Sequence, residues 1–332
     1  MIINHNQDPE AQYVGNIKAN KIGIDTKNID FIASLLTTNL YSNPIMSFIR
    51  ETVSNGWDSH VEAKVQQPVL ISLHSTTPGD EFRNNTSYSW GHKVPLEITI
   101  RDFGVGLSPE RFASIYTNIG SSTKRDSNDF IGAFGIGRFS CLSCADAATL
   151  TSYYEGTKYS YLMYKDGASI NIDELGQFPT TERNGLAVKV SLQVGRNEMI
   201  ELKNGIEALA YFNCIYVDDP LNLMGGFSQN FNSRITKEYN TFSIWDMPRT
   251  PSFTVNRPDV VIRVGNCIYP LTKTQLLTDI EFPLYWNIAI KFKIGELSVT
   301  PNREAILYNQ KTDDIIRNRC KEVLEEIKNL FI

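Results

Sequence analysis

The chain has 332 residues, 42% of them hydrophobic, which is enough for one very large domain or two ordinary ones with real cores. Its 32 Lys and Arg against 37 Asp and Glu give a net charge of −5, which excludes a polybasic nucleic-acid binder. The first residues lack the basic and apolar regions of a secretion signal, and no uncharged apolar run is long enough for a membrane span. Five cysteines in a chain of this size favour a reducing compartment, so we expect a cytoplasmic protein.

Helical and extended patterns alternate along the chain. Helical apolar spacing covers 29–41, and a second helix is predicted at about 45–65, with Pro44 at its first turn. Two strands at 69–74 and 95–102 flank a long polar segment, 76–93, which we expect to be a loop. Further along, we predict strands over 149–156, 158–167 and 186–194, a helix over 197–212, a composition shift at 218–260, strands near 260–270 and 286–299, and a final helix at 312–331.

A polar stripe occupies one face of the helix predicted over 45–65. Glu51, Asn55 and Asp58 are spaced i, i+4 and i+7, so they lie within about 60° of arc at about 100° per residue. Most such stripes are simply solvated. Apolar residues flank this one, which indicates that it faces neither plain core nor open water. The helix therefore presents two carboxylates and an amide as candidate site residues.

An acidic residue and two glycines follow the second predicted strand. Asp102, Gly104 and Gly106 form a DxGxG motif, which brings a carboxylate and bare backbone close to a ligand. The motif alone is weak, because an ordinary turn has the same composition.

A second glycine motif precedes a predicted helix. Gly132, Gly135 and Gly137 form GxxGxG, and glycine loops at a helix amino terminus present backbone N–H groups to phosphate. Its order differs from the GxGxxG of dinucleotide-binding folds, and the chain contains no GxxxxGK[ST] P-loop. Alone, this motif is also weak.

A lone CxxC, Cys141 and Cys144, lies just beyond the second glycine motif. No second cysteine pair accompanies it, and all four histidines fall between positions 5 and 92. Two small apolar side chains on a helix are therefore favoured over a redox or zinc site.

The three motifs together, in this order and on these elements, resemble the GHKL ATPase superfamily of gyrase, heat-shock chaperones, histidine kinases and MutL-type repair proteins. The resemblance covers about residues 30–195 and implies an α/β Bergerat fold, a mixed sheet with helices on one face. It implies an ATP-binding domain at 1–218, with an extended arm at 1–20 and a lid at about 107–131. A smaller α+β transducer-like domain, of the ribosomal S5 domain 2-like type, is expected at 219–332.

This resemblance implies ATP and Mg²⁺ as cofactors, with roles that side-chain chemistry supports. Asn55 offers a hard oxygen to a Mg²⁺ ion that the phosphates also bind, which makes it the metal residue. Glu51, one turn earlier, can accept a proton from a water aligned with the γ-phosphate. Asp102 would accept a hydrogen bond from the adenine amino group and repel the carbonyl of guanine. The ATP-binding residues are predicted to be Asn55, Asp58, Asp102, Gly104, Gly106, Lys124, Gly132, Phe134, Gly135, Ile136 and Gly137.

Two cations each have two interpretations. Lys124 ends a Ser-Ser-Thr-Lys stretch similar to the lid motif of MutL-type relatives, and would contact a phosphate; a solvated loop lysine is equally consistent. Arg303 lies in a segment similar to the Ser-Arg-Glu loop by which heat-shock chaperones bring an arginine to the γ-phosphate, with Asn302 in place of the serine. We predict Arg303 as the second catalytic residue, the alternative being an exposed capping turn with Glu304.

A closer resemblance is to the amino-terminal half of the rIIA lysis-inhibition family of T-even phages, through the segments 40–60, 121–140 and 298–309. It implies a phage protein in the host cytoplasm and, by resemblance alone, peripheral membrane association. Members of that family extend well beyond this carboxy terminus, so we expect a short relative or a fragment. One departure concerns Gly185-Leu186, because several GHKL members have Gly-Thr there and the threonine hydroxyl is missing here.

We therefore expect slow, Mg²⁺-dependent ATP hydrolysis that closes a lid and switches a homodimer or partner contact. The alternatives are a nucleotide-gated scaffold without useful turnover, and a topoisomerase-type or MutL-type subunit acting on DNA. The even spread of charge disfavours the DNA-binding alternative.

The predicted final helix carries an apolar stripe that we expect to pack on its own sheet rather than form a partner or dimer surface. The stripe comprises Ile316, Cys320, Val323, Leu324, Ile327 and Leu330.

Overall fold

A computed structural model gives the fold of this chain. It describes residues 40–87, 92–116, 137–167, 169–210, 215–224, 235–245, 260–265, 267–271, 282–283, 286–300 and 304–330. The described helices are α1 (Pro44–Ala63), α2 (Gly79–Ser87), α3 (Pro109–Tyr116), α4 (Cys141–Cys144), α5 (Arg196–Ala210) and α6 (Gln310–Asn329). The strands are β1 (Val69–His74), β2 (Val94–Arg101), β3 (Ala147–Tyr154), β4 (Thr157–Asp166), β5 (Ser169–Pro179), β6 (Gly185–Val194), β7 (Ile215–Asp218), β8 (Ile235–Glu238), β9 (Phe242–Trp245), β10 (Val260–Val264), β11 (Cys267–Pro270) and β12 (Asn287–Phe292).

The strands form two mixed sheets. The first has seven strands in the order β5-β4-β3-β6-β2-β1-β7, antiparallel throughout except for the parallel pair β1 and β7. The second has five strands in the order β11-β10-β12-β9-β8, with β10 and β12 parallel. The predicted α/β architecture with a mixed sheet is confirmed, whereas the boundary at residues 218 and 219 stays a prediction.

Helices cover one face of the first sheet. Alternate strand residues such as Ile71, Ile98 and Val190 are buried in one cluster with Phe48 of α1 and Leu202 of α5. The side chains between them on the other face are only partly buried. This period-two pattern produces a sheet with one apolar face, and burial of that face fixes α1 and α5 against the strands.

A second hydrophobic cluster lies between the five-stranded sheet and α6. The helix buries Ile316, Cys320, Val323 and Ile327 against strand residues such as Ile290. The prediction that this stripe packs on its own sheet is confirmed for those four side chains. Leu324 is only partly buried and Leu330, the C-cap residue, is exposed, so the buried stripe ends at Ile327 in the last turn of the helix.

The prediction that 76–93 is a loop was wrong for its first half. Residues 79–87 form α2, whose Phe82 is fully buried in the first cluster. Arg83 on the same helix donates hydrogen bonds to the carbonyl oxygens of Leu221 at 3.2 Å and Asn222 at 2.9 Å. A single buried aromatic among polar neighbours gives almost no periodic signal, so tertiary packing determines this helix.

Two further expectations need correction. The edge strand β5 went unpredicted, because polar and apolar residues alternate only over its first part, 169–173, and the rest of the strand has no period and exposes Leu175 and Phe178. The helix expected after the second glycine motif is short, a 3₁₀ turn at Gly137–Phe139 followed by the one-turn α4. The predicted arm 1–20, residues 29–39 of the predicted helix 29–41 and residues 117–131 of the predicted lid 107–131 lie outside the described residues, whereas 109–116 of the lid form α3.

Candidate functional site

Helix α1 positions the polar stripe. Pro44 occupies its first turn, and Phe48, Ile49 and Val53 bury its apolar side. On the opposite edge Glu51 is 4% exposed and Asp58 1% exposed, while Asn55 between them is partly exposed. The stripe is therefore not solvated, and Asn55 is its most accessible member.

Asp102, at the end of β2, is buried but well supplied with donors. Its Oδ1 accepts the backbone N–H of Gly104 at 2.9 Å, and its Oδ2 accepts the N–H of Leu186 at 3.1 Å. Burial raises the pKa of this carboxyl to about 6, although these two donors, the Arg101 charge and the Ser59 hydroxyl all lower it. The two N–H groups and the Ser59 hydroxyl use three of the four lone pairs of the carboxylate, so Asp102 can still accept a hydrogen bond from a ligand.

Two glycines bring α1 and the DxGxG loop into direct contact. A Cβ on Gly56 would lie 2.9 Å from the Cβ of Asp102, and a Cβ on Gly104 would overlap Ser59. The hydroxyl of Ser59 accepts the N–H of Val105 at 3.1 Å. The helix and the loop are thus held at a distance that only glycine allows at both positions.

The turn before β6 completes the surroundings of Asp102. Gly106, at φ +69°, has no room for a side chain against the carbonyl oxygen of Tyr153. Gly185, at φ +137°, lies equally close to the carbonyl group of Asp102. Leu186, at the position where the resemblance implied a threonine, donates its backbone N–H to Asp102. The missing hydroxyl therefore leaves the main-chain contact in place.

The loop after Asp102 is fixed from both sides. The Nε2 atom of His60 accepts the N–H of Phe103 at 2.7 Å, and burial lowers the pKa of this histidine. The guanidinium of Arg101 lies 4.8 Å from the ring centroid of Phe103 and 4.1 Å from that of Tyr153, and donates to the carbonyl oxygens of Asp102 and Arg183. These contacts hold the Asp102 carboxyl in one place.

The last glycine of the second motif meets Glu51. A Cβ on Gly137 would overlap Oε2 of Glu51 and lie 3.1 Å from its Cδ. Arg50 Nε lies 3.7 Å from the other carboxylate oxygen of Glu51. The structure thus brings two predicted site residues, about 85 positions apart in the chain, into contact.

The described residues include only part of the predicted site. Glu51, Asn55, Asp58, Asp102, Gly104, Gly106 and Gly137 are described, whereas Lys124, Gly132, Phe134, Gly135, Ile136 and Arg303 lie outside the described residues. Sequence reasoning did not identify Gly56, Ser59 and Gly185. Ser59 follows Asn55 by one helical turn, which is the signal that could have found it.

Two further classes of site receive no support within the described part of the chain. No group of three or more His, Cys, Asp or Glu side chains there could hold a metal ion alone. Cys141 and Cys144 are free thiols, and burial raises the pKa of Cys141 to about 12 and that of Cys144 further. The high pKa values favour the interpretation of these two cysteines as small apolar side chains over that of a redox or zinc site.

Residues 44–181 match the family model of histidine kinase-, DNA gyrase B- and HSP90-like ATPases. This part of the chain is a domain of that ATPase family. The matched residues include α1, the DxGxG motif and the GxxGxG motif. The predicted GHKL relationship is confirmed for this domain.

Similar proteins include chaperones. The chaperone protein HtpG of Rickettsia canadensis (strain McKiel) is 30% identical over 149 residues, which is 41% of this chain and 23% of that protein. An endoplasmin homolog of Leishmania donovani is 27% identical over 148 residues, 40% of this chain and 19% of that protein. HtpG of Nitrosomonas europaea is 26% identical over 187 residues, 51% of this chain and 27% of that protein. The chain thus spans about a quarter of the length of these relatives.

No helix among the described residues is long and apolar enough to cross a bilayer.

Proposed function

We propose that this chain binds ATP with Mg²⁺ along α1 and hydrolyses it slowly. One observation carries the proposal: the two ends of one helix face meet the two glycine motifs. Glu51 contacts Gly137 of the second motif, and Ser59 contacts the DxGxG loop. Eight residues of helix separate these contacts by about 12 Å, which is suited to a ligand with a base at one end and phosphates at the other.

The base end is formed by Asp102. Its carboxylate, positioned by Gly104, Leu186 and Ser59, would accept a hydrogen bond from the adenine amino group. A guanine carbonyl in the same position would face an acceptor with no proton to share, so the site favours adenine.

The phosphate end is formed by Asn55, Glu51 and the second glycine motif. The amide oxygen of Asn55 is one hard ligand, which suits a Mg²⁺ ion that takes few protein ligands and shares the phosphates. When bound, Mg²⁺ would neutralise charge on the phosphates. Asp58 completes the stripe, and Gly132, Phe134, Gly135 and Ile136 would offer backbone contacts, with Lys124 on the lid.

Glu51 is the general base of this proposal. Its carboxylate would take a proton from a water aligned with the γ-phosphate, and Arg50 beside it limits where the carboxylate can lie. Arg303 would stabilise charge on the transferred group, which a guanidinium can do because it stays protonated. Closure of the lid and of this arginine over ATP would switch a homodimer or partner contact.

A scaffold that binds ATP without useful turnover is the second candidate, and Leu186 in place of threonine favours it. Calorimetry with ADP tests binding, and steady-state phosphate release tests turnover. Binding without release above a Glu51→Ala background would select the scaffold. A mass measurement with and without a non-hydrolysable ATP analogue tests the dimer, since a nucleotide-dependent doubling of mass is expected.

The rIIA-like phage role rests on the three resembling segments alone. We propose lysis inhibition in the host cytoplasm, and the test is whether the chain restores that phenotype to a phage lacking its own rIIA protein. Restoration by the wild type but not by Glu51→Ala would also tie the role to ATP.

A further inference from the structure

One carboxylate from the second sheet region reaches the start of α1. Oε1 of Glu304 accepts the backbone N–H of Ser42 at 3.1 Å and that of Asn43 at 3.4 Å. It also accepts the hydroxyl of Ser47 at 3.1 Å. More than 250 residues of sequence separate these partners, so the contact joins distant parts of the chain.

Backbone pairing beside Glu304 connects it to the second sheet region. Val299 and Ile306 pair as an antiparallel bridge, and the N–H of Thr300 donates to the carbonyl oxygen of Ala305 at 2.9 Å. Val299 and Ile306 are both buried in the second hydrophobic cluster. The carboxylate of Glu304 therefore moves with the five-stranded sheet and α6.

The start of α1 depends on such distant groups. Its N-cap residue Asn43 makes no side-chain cap, and Pro44 has no N–H to offer. The N–H groups of Ile45 and Met46 donate to Oε1 of Glu201 at 2.7 and 3.2 Å. Two carboxylates, that of Glu201 on α5 and that of Glu304, thus replace a local cap, and negative charge there suits the helix dipole.

We propose that Glu304 couples the nucleotide site to the second sheet region through the amino terminus of α1. Ser47, which donates to Glu304, lies one helical turn before Glu51, so any nucleotide-driven shift of α1 changes the Glu304 contact. Because such coupling is reciprocal, the position of Glu304 then changes the affinity of the proposed nucleotide site. Glu304 is on this account a positioning residue, and the inference rests on the proposed nucleotide binding.

The chain contains a matched control for this contact. Glu326 on α6 accepts the N–H groups of Asn240 and Thr241, both at 2.9 Å, and the hydroxyl of Thr241 at 2.6 Å. It makes the same three kinds of hydrogen bond as Glu304, but wholly within the second sheet region. Glu304→Ala and Glu326→Ala therefore remove equivalent bonds, and only the first removes the link to α1.

The test is amide hydrogen exchange on the full chain, with and without a non-hydrolysable ATP analogue, and calorimetry with the same analogue. We expect the analogue to slow exchange of peptides covering 304–316 in the wild type and in Glu326→Ala. In Glu304→Ala we expect the affinity for the analogue to stay within about twofold of the wild type. We also expect the analogue no longer to slow hydrogen exchange of the peptides covering 304–316. Glu304→Gln keeps an acceptor oxygen in place and is expected to restore about half of the slowing.

Each result is decisive. The coupling role would be overturned if the analogue still slowed exchange at 304–316 in Glu304→Ala. It would also be overturned if this slowing were lost equally in Glu326→Ala. Nucleotide binding without any change at 304–316 in the wild type would also overturn it, while leaving the proposed function intact. Absence of nucleotide binding in the wild type would instead refute the proposed function, and the coupling with it.

Discussion

Gly137 lies directly against the carboxylate of Glu51, so closely that a side chain at position 137 would occupy the space of Oε2. The two residues belong to different motifs, one on α1 and one at the start of the turn before α4. Position 137 requires glycine because a side chain there would overlap the Glu51 carboxylate, and not because of its backbone angles. The contact links the candidate general base to the second glycine motif.

The first prediction is a double-mutant cycle at this contact. Gly137→Ala is expected to lower the free energy of unfolding by about 1–3 kcal/mol, because the new methyl group overlaps the Glu51 carboxylate. In a Glu51→Ala background the same change should be nearly neutral, since only the Cβ of residue 51 remains, at 3.4 Å. Urea unfolding of the four proteins measures the coupling. Additive effects would mean that the two residues are not in contact.

The second prediction concerns pH and Asp102. Its pKa is raised to about 6, so the ionised carboxylate that we propose as the adenine acceptor predominates at pH 7.5, is about half populated at pH 6 and is largely lost at pH 5. Adenosine affinity should fall about tenfold between pH 7.5 and pH 5, and adenosine is chosen because it has no phosphate to titrate. The folded protein should itself gain stability over the same fall, since burial disfavours the charged carboxylate.

Asp102→Asn serves as the control. The amide cannot ionise, so its weakened adenosine affinity should be the same at pH 7.5 and pH 5. Calorimetry at both pH values is the measurement. A wild-type affinity that is flat across this range would remove Asp102 from the adenine contact.

The third prediction distinguishes the core side of α6 from its exposed end. Ile316→Ala is expected to destabilise the protein by about 2–5 kcal/mol, because Ile316 is fully buried. Leu330→Ala, at the C-cap residue of the same helix and 45% exposed, should change stability by less than about 0.5 kcal/mol. Thermal unfolding compares them. Equal and small effects would reinstate the stripe as a partner surface.

The fourth prediction concerns Arg303, which lies outside the described residues. Arg303→Ala should lower turnover tenfold or more, about 1.4 kcal/mol, with ADP affinity almost unchanged, because the guanidinium acts on charge that develops during transfer. Phosphate release and calorimetry are measured on one preparation. Unchanged turnover would leave Arg303 as part of a capping turn.

Sequence patterns predicted the parts of this molecule that repeat locally. The period-two strands of the first sheet and the limits of α1 follow from apolar spacing and from Pro44, and they were predicted closely. The candidate site was predictable because its residues fall into three short motifs. Periodicity carries this information since it reports which face of an element is buried.

Long-range contacts could not be predicted in the same way. The sequence around α1 does not indicate that Glu201 and Glu304 accept hydrogen bonds from its first residues. Both glutamates are more than 150 positions away in the sequence. Helix α2 depends on one buried side chain, Phe82, within a polar segment. The contribution of Leu186 is a backbone N–H, which side-chain identity does not reveal. In each case tertiary packing supplies what the sequence pattern lacks.

The most direct test of the central claim is steady-state phosphate release by the wild type and by Glu51→Ala, with ADP affinity measured alongside. Removal of a general base typically lowers the rate by a factor of about 10² to 10⁴, and the variant leaves Asn55, Asp102 and the glycines, the proposed nucleotide-binding residues, untouched. We expect turnover to fall by that factor while affinity stays within about threefold. Turnover within a few-fold of the wild type in Glu51→Ala would contradict the account.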